Sequence, residues 1–119
     1  MASSSALQQS FSLIGCPVTE KLGKGNFPLW SAQVLSALRG AQIELYLEPD
    51  IVVPTKQIPK AADKPTELIP NPEYETWVAK DQQIVNYLLS NISKEIQVQV
   101  SHCATSADIW KVISEMTIS

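Results

Sequence analysis

The chain has 119 residues, of which 45% are hydrophobic and 18% charged, with a formal net charge of -3. That is the composition of one globular domain, large enough to bury about two-thirds of its unfolded surface. Nine Lys+Arg against twelve Asp+Glu, with no basic run, disfavour direct nucleic-acid binding, which draws its affinity from clustered cations. No stretch approaches the ~20 apolar residues that span a bilayer.

Residues 1–25 show little periodicity and read as a flexible leader. The segment is Ser-rich, but it has no basic residue before Lys21 and so lacks the mark of a signal or transit peptide. A cytoplasmic location is therefore expected, with organelle import disfavoured.

The ordered domain is expected over 26–119. Asn26 is placed to cap a first helix, and Pro28 fits the first turn, where backbone N–H groups have no helical partner. Phe27, Trp30, Val34, Ala37, Leu38 and Ala41 share one face at helical spacing. Gly40 offers a natural end, and Ile43 to Leu47 a short second helix or turn.

Six of the eight prolines fall between Pro49 and Pro72, and each removes a backbone donor. Residues 50–70 are therefore expected as a long Pro-rich loop, although Ile51-Val-Val53 could pair briefly as a strand.

Asn71-Pro72-Glu73 combines a cap, a first-turn proline and a first-turn acid. The helix it opens is expected to run to about Ser90, with Tyr74, Trp77, Ile84, Val85 and Leu88 on one face. Asp81 falls inside that arc, where a carboxylate needs a partner such as a neighbouring helix N-terminus or a cation.

Ile96-Gln-Val-Gln-Val100 alternates like a strand. Capped by Ser93 and read as a helix, it instead aligns Ile92, Ile96, Val100 and Cys103 on one stripe, and helix is preferred. Thr105 or Ser106 caps a last helix whose apolar face is broad.

The resulting fold class is all-α, a small bundle of about four to five helices carrying one long loop. Its expected core is Trp30, Val34, Leu38, Trp77, Ile84, Leu88, Trp110 and Ile113. Ile109, Val112 and Met116, spread over the last helix, are the expected interaction surface.

Chemistry finds little support. Cys16 and Cys103 are far apart, and the single histidine, His102, beside Cys103 does not complete a tetrahedral zinc site. Gly23-Lys-Gly25 is too short for a phosphate or dinucleotide loop, and no nucleophile motif is present. No catalytic, metal or cofactor site is expected, and the chain is read as a non-enzyme.

Three blocks carry a resemblance. Lys21-Leu-Gly-Lys-Gly-Asn26-Phe-Pro-Leu-Trp30 with Gln33-Val-Leu-Ser-Ala-Leu-Arg-Gly40 is the first. Asn71-Pro-Glu-Tyr-Glu-Thr-Trp77 with Val78-Ala-Lys-Asp-Gln-Gln83, and Ala107-Asp-Ile-Trp110-Lys-Val-Ile-Ser-Glu-Met116, are the others. In order and spacing they resemble the N-terminal region of Gag polyproteins of plant copia-type LTR retrotransposons. The resemblance implies a helical, capsid-like domain with structural tryptophans, whose partners are itself or full-length Gag.

Such proteins continue through further helices and often a zinc knuckle, so this sequence is read as a truncated form. Its expected role is a non-enzymatic interaction module. The alternatives are a domesticated host regulator acting through protein binding, or a relic without function.

Overall fold

The structure is a computed structural model that describes residues 18–118. The expected leader therefore lies outside the described residues up to position 17, as does Cys16. Four α-helices are present among the described residues: α1 (Phe27–Gly40), α2 (Pro72–Ser90), α3 (Lys94–Val100) and α4 (Ser106–Ile118). A 3₁₀ turn (Glu44–Leu47) follows α1, and two antiparallel strands, β1 (Gln57–Ala61) and β2 (Lys64–Pro70), precede α2.

The strands overturn the all-α expectation; the fold is mixed α/β, and part of the expected Pro-rich loop is a β-hairpin. Prolines argue against a central strand because they lack a donor. A two-stranded ribbon is different, since each strand has one edge without a partner and a proline nitrogen can face that way. Pro59 stands opposite Leu68 and Pro70 opposite Gln57, with a register irregularity between Pro59 and Ala61. Ile58 faces Ile69 as an apolar cross-strand pair.

Asn71 fastens the hairpin to the helical body. Its backbone N–H donates to the Lys56 carbonyl at 2.9 Å and its Nδ2 to the Thr55 carbonyl at 2.8 Å. Its Oδ1 meanwhile accepts from the Glu73 N–H at 3.0 Å, which caps α2. One buried side chain thus closes the ribbon and starts the longest helix.

Helix α1 ends at Gly40 as expected, but its termini are held by contacts other than the expected ones. Asn26 makes no side-chain cap; its Oδ1 accepts from Gly23 N–H at 2.8 Å and its Nδ2 donates to the Lys21 carbonyl at 2.9 Å, folding the preceding segment back. At the far end Gln42, not Gly40, takes the left-handed conformation, at φ 61°. Gln42 N–H donates to Arg39 O at 3.0 Å and Ile43 N–H to Leu38 O at 2.9 Å, the paired bonds of a Schellman ending. Ile43 and Leu38 are both buried, which supplies the apolar contact that accompanies it.

Positions before Asn26 also take part in the packing among the described residues. Leu22 is wholly buried and forms a parallel bridge with Ile92, its N–H donating to Asn91 O and its carbonyl accepting from Ser93 N–H, both at 2.9 Å. Ser93 in turn caps α3, so the segment that alternates like a strand is helical. Helix α4 packs against α2, α3 and the 3₁₀ turn, and α1 also contacts that turn. No helix among the described residues is long and apolar enough to cross a membrane.

Candidate interaction surface

The expected core residues divide. Trp30, Val34, Leu38, Ile84, Leu88 and Ile113 are buried in one continuous cluster. Trp110 is half-buried against it, its ring stacked on Trp30 with centroids 5.8 Å apart and on the flank of Phe27 at 6.2 Å. Trp77 lies outside that cluster: it is half-buried and stacks on Tyr46, 5.7 Å away and tilted 24°.

The expected interface on α4 is also altered. Ile109 is 1% exposed and belongs to the core, so it is not available as a contact residue. Val112 and Met116 are half-buried and pack against the same core. Helices α2 and α3, the 3₁₀ turn and the Phe27 and Trp30 rings of α1 all pack on α4.

Asp81 occupies the seam between α2 and α4. At 1% exposure its carboxylate accepts from both the N–H and the hydroxyl of Ser106, at the first turn of α4. Thr105 Oγ1 accepts from Asp108 N–H at 3.2 Å, so two side chains satisfy donors at that end. Burial raises the Asp81 pKa, the Ser106 hydrogen bonds oppose the rise, and the Asp108 charge adds to it. The polar pair joins two helices; its chemistry is that of a cap.

Burial likewise raises the Tyr46 hydroxyl, with the Asp81 charge contributing, and raises the Cys103 thiol beside Asp108. A higher thiol pKa makes Cys103 a poorer nucleophile at neutral pH. Among the described residues, no group of three or more His, Cys, Asp or Glu is placed to hold a metal ion.

Two surface features were not anticipated. The first is a groove of about 330 Å³ lined by Tyr46, Pro54, Pro72, Glu73, Thr76 and Trp77. The Trp77 indole Nε1 is buried without a hydrogen-bond partner among the described residues. The second is the hairpin itself, where every residue except Ile58 is exposed, including Leu68 at 52% and Ile69 at 38%. Its one cross-strand ion pair, Lys60 Nζ to Glu67 Oε2 at 3.8 Å, lies in solvent and contributes little.

The sequence carries only a faint sign of this ribbon: apolar Ile58 and Leu68-Ile69 placed on either side of Ala62-Asp63. It carries none of the groove, whose walls come from segments far apart in sequence.

No protein-family model matches the chain, and no solved structure matches it. The chain is similar to two retrovirus-related Pol polyproteins of Arabidopsis thaliana, from transposons RE1 and RE2. Each is 30% identical to it over 98 residues, or 81% of this chain. The chain spans 6% of the length of each polyprotein. These similarities support an origin in a plant retrotransposon polyprotein.

Proposed function

We propose that this chain is a non-catalytic protein-binding module of Gag origin, which associates with itself or with a longer Gag-containing polyprotein. The observation that carries this reading is the hairpin. It stands off the helical body with Leu68 and Ile69 exposed, although a two-stranded ribbon is only marginally stable by itself. Leu68, opposite Pro59, and Ile69, opposite Ile58, lie on opposite faces of the ribbon, so each face offers an apolar side chain to a partner.

The prolines decide how such a contact forms. Pro59 and Pro70 present no N–H along the outer edges, and Pro65 removes a third donor from β2. Edge prolines oppose strand addition, so the ribbon offers side chains from its faces rather than backbone from its edges. The margin of α4 around Val112 and Met116 is a second, narrower contact area.

Sedimentation velocity over a concentration series tests the proposal. The wild-type chain is expected to show a concentration-dependent shift towards dimers or larger species. Leu68→Glu with Ile69→Glu is expected to remain monomeric with an unchanged melting temperature. A wild-type chain that stays monomeric at high concentration, and does not co-sediment with a longer Gag-containing polyprotein, overturns it.

A further inference from the structure

Resting on the protein-binding reading above, we infer that the groove beside the hairpin base receives an extended, proline-bearing peptide that carries a lysine or arginine. The groove walls supply the first reason. Tyr46 and Trp77 present a stacked aromatic pair, 5.7 Å between centroids, flanked by Pro54 and Pro72. Aromatic-lined grooves suit proline-rich segments because the polyproline II helix is preformed and loses little entropy on docking. The groove is shallow and open, about 330 Å³, and gives a short segment a surface to lie along.

The second reason is the orphaned indole. Trp77 Nε1 is shielded from water and has no acceptor among the described residues. Leaving such a buried donor unpaired is costly. Because the Trp77 ring lines the groove, a bound segment that reorients it can supply the missing acceptor. Polyproline II backbone has no internal hydrogen bonds, so its carbonyls are available. Helical and sheet-paired peptides use theirs internally.

Charge completes the specification. Glu73 is exposed on the rim, and no Lys or Arg lines the groove. A cation on the peptide is attracted there and an anion is disfavoured. Glu73 also lies one turn from Trp77, so a single short peptide reaches both.

The test uses the full chain, labelled with ¹⁵N, and three synthetic peptides of equal length. One repeats Pro-Pro-Lys, one Pro-Pro-Glu and one Gly-Ser-Lys. The Pro-Pro-Lys peptide is expected to shift the Trp77 indole N–H resonance saturably. The Trp30 indole, already bonded to Asn91 O at 2.8 Å, is expected to stay in place. Tyr46→Ala is expected to weaken binding about tenfold.

Glu73→Gln, on the exposed rim, keeps the fold and is expected to abolish the preference for Lys over Glu peptides. A Trp77 indole resonance that ignores millimolar Pro-Pro-Lys, or that moves equally with Gly-Ser-Lys, overturns the assignment. Sedimentation of the peptide-free chain reads self-association independently. A chain that associates through its hairpin while the groove ignores proline refutes the groove alone.

Discussion

Trp30 Nε1 donates to the backbone carbonyl of Asn91 at 2.8 Å, joining the first turn of α1 to the end of α2 across 61 residues. The same carbonyl accepts from Leu22 N–H at 2.9 Å, and Asn91 Nδ2 donates back to Tyr87 O at 2.7 Å. Three segments converge on one buried asparagine. The tryptophan is therefore a directional link as well as core volume.

Trp30→Phe keeps an aromatic ring but removes the donor and leaves space against Trp110. Asn91 O retains Leu22 as a partner, so no acceptor is orphaned. The expected loss is about 2 kcal/mol, against about 3–5 kcal/mol for Trp30→Ala. Urea denaturation measures both, and an unchanged midpoint for either contradicts the link.

Gln42 holds a left-handed backbone at φ 61° with its side chain exposed. Glycine adopts that conformation without the Cβ penalty, which is roughly 1–2 kcal/mol for other residues. Part of the gain is offset by the greater freedom of glycine in the unfolded chain. Gln42→Gly is expected to raise stability by about 0.5–1 kcal/mol, and Gln42→Val to lower it. Thermal melts of the pair decide the sign.

Asp81 gives a pH dependence. Its folded-state pKa is raised above the ordinary 3.8 by burial. The stability contributed by the protonated group is whole below that value and is lost as pH rises through the folded-state pKa. Asp81→Asn stays neutral and can still accept from Ser106. The advantage of wild type over this variant is expected to be greatest near the acid end and to shrink from about pH 4 upward. A difference that grows with pH reverses the assignment.

Asp81→Ala removes the acceptor altogether. It leaves the Ser106 N–H and hydroxyl unpaired in the seam. The expected cost is about 2–4 kcal/mol, with α4 opening first. Hydrogen exchange reads this as early loss of protection in α4 relative to α2.

Replacing residues 57–70 by a short Asn-Gly turn tests whether the hairpin is structural or functional. Its ends are already adjacent, since Asn71 N–H lies 2.9 Å from Lys56 O. Most hairpin side chains are exposed, so the helical body is expected to keep its melting temperature within about 1 kcal/mol of stability. Self-association is expected to disappear. Limited proteolysis of the wild-type chain should also cut near Ala62-Asp63 before the helices.

Local signals in the sequence determined where the helices start and which faces are apolar. Asn71 and Ser93 cap as their positions imply, because a cap needs only a side-chain oxygen within one turn of an orphan N–H. Thr105 does the same for α4. The stripe through Val34 and Leu38 is buried because helical spacing puts both on one side. Tertiary contacts decided the rest. Asn26 could have capped α1, yet its side chain is engaged by Gly23 and Lys21 in a segment that folds back. Ile109 and Trp77 both lie on apolar stripes, but the elements packed on α4 bury the first while the second meets Tyr46 at the edge of the body. The prolines of β1 and β2 suit strands only because the ribbon has no third strand to demand their missing donors. Periodicity and capping act within a turn or two of chain, whereas burial, pairing and grooves depend on which distant segment arrives to cover a surface.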